Sequence, residues 1–355
     1  MKEFYKGKKV MVTGHTGFKG GWLSQILIKM GAEVAGYSLM PDTEPNLFNA
    51  LKLDGKMQNY FEDIRDYDAV LAAIRHEKPE IVFHLAAQAL VRDSYDDPVY
   101  TFDTNIIGTA NVLQAIYEAE GVKSVVVITT DKVYEDKGDK AYKEGDELGG
   151  YDPYSTSKAC AELVTRSFVR SLFNPKDYEE HGTLVATARS GNVIGGGDWS
   201  KDRLVPDFVK SIFEQNRKIV LRSPGAVRPW QHVLEPVLGY MMLAKKLYEG
   251  DIEFASAFNF APNMENMVTV KELTEKAIAI AGKGEYSVEK EEQKHETEIL
   301  KLDAVKAREK LGYTPILGID DTLQWTFEWY KKYYDDKDVE ELTNKQIEEM
   351  LAKIQ

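Results

Sequence analysis

The amino-acid sequence predicts an α/β fold in which a doubly wound parallel sheet is joined to a smaller, mainly helical domain. Three observations carry that expectation. Short β-branched runs alternate with longer helical patterns over the first 130 residues, the pattern of successive βαβ units. The runs are apolar throughout instead of alternating, as strands covered by helices on both faces require. The chain has 355 residues, more than one core ordinarily supports, so one large or two intimately joined domains are expected.

Taken in order, residues 10–12, 33–37, 81–85 and 125–129 read as strands, with helical stretches at 20–30, 67–76 and 103–119 between them. A Gly/Asp/Lys-rich surface loop follows at 135–150, then a helix over 154–173, a polar break at 174–182 and a buried strand at 184–189. Residues 189–229 are rich in Gly, Pro, Asn and Arg, with a helix near 205–215. A helix at 233–248 and a strand at 258–260 are expected to return to the sheet, and 263–355 to be mostly helical, its charged stretch 285–298 forming a solvated face or hairpin. The domain assignment is therefore 1–188 with a return segment at 232–262, and 189–231 with 263–355 as the second domain.

Composition removes several function classes. Lys and Arg number 45 against 58 Asp and Glu, a net charge of −13, which argues against binding nucleic acid through neutralised phosphates. Cys160 is the single cysteine, so a disulfide framework and a cysteine-built zinc site are both excluded within one chain. The six histidines show no ligand spacing, and no metal is expected. No stretch has the length of a signal peptide or membrane span, so a cytoplasmic protein is expected. His232 and Cys160 read as packing residues.

Gly14-His15-Thr16-Gly17-Phe18-Lys19-Gly20 directly follows the first strand and opens a helix. Glycines there permit a tight turn and close approach of backbone to a pyrophosphate, while the helix start supplies oriented N–H donors. A Rossmann-type dinucleotide site follows. The second strand ends at Ser38 with no carboxylate until Asp42 and no arginine, which favours NAD over NADP.

Tyr154 and Lys158 are spaced i, i+4 at a helix start, one above the other on a single face. An ammonium beside the phenol lowers its pKa and suits it to proton exchange with a hydroxyl–carbonyl pair during hydride transfer. Thr129-Thr130-Asp131-Lys132 stands at the C-terminal end of a predicted parallel strand, where α/β sites form.

Together these motifs resemble the extended short-chain dehydrogenase/reductase (NAD-dependent epimerase/dehydratase) family over most of the chain. His84-Leu85-Ala86-Ala87-Gln88 is similar to its strand-to-cofactor turn, Thr104-Asn105 to its Asn-containing helix, and Leu302-Asp303 through Pro315 to its C-terminal signature. The resemblance implies NAD contacts from Gly14–Gly20, Ser38, Asp63, Ile64, Leu85–Gln88, Asn105 and Thr129, besides Tyr154 and Lys158. Family members act on nucleotide sugars. Gly195-Gly196-Gly197-Asp198-Trp199 and Arg228-Pro229-Trp230-Gln231-His232-Val233-Leu234-Glu235-Pro236 resemble the branch that removes water from CDP-glucose, as does Lys132 in place of the glutamate most 4,6-dehydratases carry. It implies Tyr154, Lys158 and Thr130 for oxidation at carbon 4 and Asp131 as the acid for water loss. Lys132 is either a base or an electrostatic stabiliser of the enolate.

Arg203, Arg222 and Arg228 lie within 26 positions in an acidic chain and are expected to clamp a sugar-nucleotide diphosphate, a partner that suits bidentate guanidinium contacts. Arg92, Ser94, Arg189, Asn192, Leu204 and Pro206 complete the substrate contacts expected from the resemblance. A 4-epimerase or a reductase on the same fold needs the tyrosine, lysine and threonine without the Asp131-Lys132 pair. A non-catalytic dinucleotide sensor needs neither Tyr154 nor Lys158. The family also implies a homodimer, or a dimer of such dimers, formed by the helix after Asn105 and the one holding Tyr154; Val112, Leu113, Ile116, Leu163, Val164 and Phe168 are spaced to supply such a face or, equally, to pack the helices on the sheet.

Overall fold

The computed structural model describes residues 1–138, 140–215, 217–289 and 301–354. Seven parallel strands form the sheet: β1 (Lys9–Thr13), β2 (Glu33–Ser38), β3 (Gln58–Phe61), β4 (Ile81–His84), β5 (Ser124–Ile128), β6 (Leu184–Arg189) and β7 (Ala257–Asn259). Their spatial order is β7-β6-β5-β4-β1-β2-β3. The chain thus winds outward from β1 in one direction, returns to β4 on its other side and winds away. The crevice between β1 and β4 is the switch point at which such sheets bind ligands.

Alternate side chains of each strand feed two cores. Val10 and Val12 of β1, with Phe83 and Val126, pack against Trp22, Leu23 and Ile26 of α1 (Phe18–Lys29). Met11, Val82, Val125 and Val127 face the opposite layer. There they meet α2 (Tyr67–Glu77) and α3 (Gly108–Ala119), which explains why the strands read as continuous apolar runs. Val112, Leu113 and Ile116 of α3 are spent on this second core, so they are not the docking face their spacing suggested. The exposed apolar residues of this region are Ile107, Tyr117 and, on α4 (Pro153–Arg170), Leu163.

β3 escaped the sequence reading because it is only four residues long at the sheet edge, opens on Gln58 and Asn59, and buries none of its residues fully. The helix expected near 205–215 is α5 (Leu204–Val209), which widens into a π-helical turn at Lys210–Gln215. A similar turn, Asp103–Ile107, precedes α3. Within the surface loop, Ala141–Tyr142 pairs with Lys301–Leu302. Of the charged stretch, Tyr286–Val288 pairs with Ile219–Leu221, and residues 290–298 lie outside the described residues.

The Gly-rich segment after β6 is stapled to the C-terminal helices. α6 (Leu234–Tyr248) packs on β5, and α8 (Ile319–Asp336), the helix after α7 (Val270–Ala281), carries Trp329, Tyr330 and Tyr333 against Trp199. The Tyr330 hydroxyl accepts from the Asp198 amide at 2.9 Å and donates to its carbonyl at 2.6 Å. A methyl at Gly196 would overlap the Trp329 ring. Among the described residues no helix is long and apolar enough to cross a membrane, and no group of three or more His, Cys, Asp or Glu side chains could hold a metal.

Candidate active site at the junction of two cavities

The glycine loop is built by backbone geometry. Gly14 has φ +76°, which side-chain-bearing residues rarely adopt, and a Cβ there would lie 2.7 Å from the Ala86 nitrogen. A methyl at Gly20 would overlap the Gly14 carbonyl. Gly17 is exposed at the N-cap of α1, where no side chain caps the helix, so first-turn N–H groups remain for an anion. Thr13 ties the ends of β1 and β4 together: its hydroxyl oxygen accepts from the Leu85 and Ala86 amides at 3.1 and 3.2 Å and hydrogen-bonds His84 Nδ1 at 2.7 Å. Thr16 reaches Ser38 at 2.9 Å.

These groups open onto a cavity of about 420 Å³, lined by Gly14, Thr16–Gly20, Ser38, Asp63, Ile64, Leu85–Gln88, Thr129, Tyr154 and Lys158. Exposed glycine backbone, an uncapped helix start and a long floor fit a dinucleotide. A second cavity of about 340 Å³ adjoins it, lined by Arg92, Thr130–Lys132, Tyr154, Asn192, Arg203–Pro206 and Arg228. Lys19, Ala89, Leu90, Thr129, Tyr154 and Arg203 belong to both walls.

Tyr154 is placed by the start of α4. Asp152 caps the helix through the Ser155 amide at 2.9 Å, and Pro153 supplies the first-turn dihedral, as helix starts favour. The Tyr154 amide donates to Ser94 Oγ at 3.1 Å. Burial pushes the phenol up to about 12, with Thr130 and Arg203 pulling it back. Lys158 does not bond it here: its Nζ donates to the Ile128 carbonyl at 3.3 Å, and burial lowers it to about 8 while Glu162 opposes the fall. The expected phenol–ammonium contact is therefore not formed by the spacing alone.

Thr130 caps a short 3-10 turn holding Asp131 and Lys132. Its hydroxyl donates to Asp131 Oδ1 at 2.8 Å, and Asn192 Nδ2 donates to Oδ2 at 3.4 Å. Gly191 lies against that carboxylate, where a methyl would overlap it. Asp131 is buried and Lys132 half-buried at the mouth. Burial, with Arg203 and Lys158 nearby, lowers Lys19 to about 7 against the pull of Asp131 and Asp198.

Five expected contacts are absent from the cavity walls. Arg189 is buried in a bidentate pair with Glu162 at 2.8 Å, so it braces β6 on α4. Asn105 is buried and holds the Gln88 backbone from both sides at 2.8 and 2.9 Å while donating to Ser157 at 2.8 Å. Ser94 is spent on the Tyr154 amide. His15 points inward against Phe48 and Phe61 beneath Gly36. Arg222 is exposed on the segment beyond Ile219–Leu221. Arg203 pairs with Asp198 at 3.2 Å and Arg92 with Asp202 at 3.0 Å, both at the mouth.

The sequence reading missed Ser190, Asp198, Lys201, Asp202 and Trp230 of the upper cavity and Met40, Asp42, Glu62 and Tyr100 of the lower one. Glu62 follows β3, and its amide bonds the Ser38 carbonyl at 3.1 Å. The register of β3 thus sets Glu62 beside the end of β2, on the wall of the first cavity with Asp42 and Asp63. The Arg228–Pro236 stretch is mainly scaffold: Gln231 Nε2 donates to the Gly191 carbonyl at 3.0 Å, and Glu235 Oε1 accepts the Ile316 and Leu317 amides at 2.8 and 2.7 Å.

Residues 11–326 match the family described as GDP-mannose 4,6 dehydratase. The chain is 44% identical over 353 residues to a CDP-glucose 4,6-dehydratase of Salmonella typhimurium, covering 99% of this chain and 98% of the relative. It is 26% identical over 341 residues to a dTDP-D-glucose 4,6-dehydratase of Mus musculus, covering 92% and 90%. A crystal structure of a dTDP-glucose 4,6-dehydratase from Streptomyces venezuelae with NAD bound superposes with a TM-score of 0.77 at 27% identity, over 91% of this chain and 97% of that one.

Proposed function

The chain belongs to the GDP-mannose 4,6 dehydratase family, and from that premise we propose that it is an NAD-dependent CDP-glucose 4,6-dehydratase, converting CDP-D-glucose to CDP-4-keto-6-deoxy-D-glucose and water. The observation that carries the reading is that Thr130, Asp131 and Lys132 line one cavity together with Tyr154, which also lines the adjoining cavity suited to a dinucleotide. A 4-epimerase or simple reductase has no use for the Asp131-Lys132 pair. The substrate base rests on the 44% identical relative, since the dTDP-glucose enzymes stand much further off.

NAD supplies a hydride acceptor at the first step and the same hydride at the last. The backbone of Gly14–Gly20 would hold its diphosphate, and Ser38, Glu62 and Asp63, on the same cavity wall, would serve its adenosine end. Tyr154 takes the 4-hydroxyl proton as hydride leaves carbon 4, and Thr130 hydrogen-bonds the new carbonyl oxygen. A phenol held near 12 by burial ionises only with cations close by; Arg203 is one, and Lys158 becomes another on turning from the Ile128 carbonyl to the phenol. The 4-keto group acidifies carbon 5. Lys132 removes that proton or stabilises the enolate, and Asp131 protonates the departing 6-hydroxyl, so one water leaves. The hydride would then be delivered to carbon 6 while the proton taken from carbon 5 returns to carbon 5, and the proton held by Tyr154 goes back through solvent to Asp131, so that cofactor and side chains end as they began. Arg203 and Arg228 hold the substrate diphosphate.

The same reading makes the chain a cytoplasmic homodimer, or a dimer of such dimers, docking through the exposed Ile107, Tyr117 and Leu163, and places its product in deoxysugar synthesis for lipopolysaccharide. The test is incubation with NAD and CDP-, dTDP-, UDP- or GDP-glucose, reading the base-dependent absorbance of a 4-keto-6-deoxy sugar. Turnover of another sugar nucleotide with none of CDP-glucose overturns the substrate assignment. Lys132→Ala should stop water loss and leave hydride removal from carbon 4 measurable; unchanged turnover makes Lys132 a bystander.

A further inference from the structure

The mechanism above makes no use of the Lys19 side chain. It stands in the first turn of α1, yet its side chain reaches across to the residue just after β6, where Nζ donates to Ser190 Oγ at 3.0 Å. Ser190 is itself hydrogen-bonded to the Tyr240 hydroxyl, so the ammonium is tethered. It lies on the wall common to both cavities, beside Thr129 and Tyr154. Arg203 and Lys158 are further cations of this junction; of its anions, Asp198 is paired with Arg203 and Asp131 is engaged by Thr130 and Asn192.

A dinucleotide diphosphate is served by the exposed Gly17 and the uncapped start of α1, and needs no side chain reaching 171 positions along the chain to Ser190. The junction, in contrast, is where hydride passes, since substrate and nicotinamide must touch there and Tyr154 marks the place. The nicotinamide ring is a cation in NAD and neutral in NADH, and the two molecules are otherwise alike. A lysine held at this junction, when protonated, would therefore penalise one form and spare the other.

Resting on the NAD-dependent reading, we propose that Lys19 sets the redox preference of the bound cofactor, weakening NAD relative to NADH and so making bound NAD a stronger hydride acceptor for the 4-hydroxyl. Because the cofactor is restored each turnover, the bias accelerates the first hydride transfer at the expense of the return. It leaves the overall equilibrium unchanged. Like unit charges sharing a partly solvated site interact strongly enough to shift the binding ratio about tenfold.

The test is calorimetric titration of the full-length chain with NAD and with NADH, for the wild type, Lys19→Met, Lys19→Gln and Lys19→Arg. The ratio Kd(NAD)/Kd(NADH) is expected to fall about tenfold in the Met and Gln variants and to hold in the Arg variant. Ratios within twofold of wild type in both neutral variants overturn the inference, including the case in which both affinities fall together, which makes Lys19 a diphosphate ligand only. A wild-type chain that binds neither dinucleotide overturns the NAD reading, and this inference with it.

Discussion

Arg189→Met is expected to destabilise the fold and leave the apparent KM for the sugar nucleotide unchanged. Arg189 and Glu162 are 3% and 4% exposed. The guanidinium gives Glu162 two bonds of 2.8 Å and donates through Nη1 to the Tyr134 hydroxyl at 2.7 Å and the Glu144 carbonyl at 3.1 Å. Burial works against ionisation of Glu162, yet Arg189 and two threonine hydroxyls hold its carboxyl below the usual range. Removing Arg189 leaves that carboxylate only Thr129 at 2.5 Å and Thr187 at 2.7 Å. Breaking such a pair from one side costs about 3–5 kcal/mol, a large part of the roughly 5–15 kcal/mol that holds a protein folded. The double change Glu162→Met, Arg189→Met removes both charges and should cost less than the sum of the two single changes, by about 1–3 kcal/mol. Urea unfolding followed by tryptophan fluorescence measures these values, and steady-state kinetics the KM. An Arg189→Met protein of wild-type stability with a raised KM would refute the argument and return Arg189 to the substrate.

Gly191→Ala presses a methyl on the buried Asp131 carboxylate; a displacement of about 1 Å should lower kcat about a hundredfold while NADH titration shows cofactor binding retained. Burial holds His15 at about 4 and both His84 and His232 at about 3 in the folded chain, against about 6.5 unfolded. The unfolded state therefore binds more protons below pH 6.5, and stability should fall with pH by about 1.4 kcal/mol per unit for each of them; His232→Gln should remove one proton from that slope in urea titrations between pH 6 and 4.5. Glu235 has the opposite sign: burial raises it to about 7, the Leu317 and Ile316 amides opposing. Its contribution costs stability progressively as pH rises from about 4.5 to 7, and Glu235→Gln should gain about 2–3 kcal/mol on the wild type at pH 8 and nothing at pH 4. An equal gain at both values would contradict that assignment.

Features that depend on near neighbours in the chain were legible in the sequence. A strand followed by Gly14–Gly20, a tyrosine four residues before a lysine at a helix start, and a Thr-Asp-Lys exit from a strand each carry their geometry locally, since a positive φ, a helix face and a strand end are properties of a few consecutive residues. The doubly wound sheet followed from the alternation of apolar runs and helices. Which way a polar side chain turns was not legible, because that is decided by partners far along the chain. Arg189 and Arg203 look alike in the sequence, but β6 pairing aims the first at Glu162 while the second closes on Asp198 at the cavity mouth. Asn105 and Ser94 brace the site from behind its wall. Lys158 rests on the Ile128 carbonyl rather than on Tyr154. Glu62 reaches the end of β2 through the register of β3, and Lys19 reaches Ser190, just after β6, across the junction. Burial without a partner is costly, so each polar group takes whichever partner the packing brings near, and only the tertiary structure says which one that is.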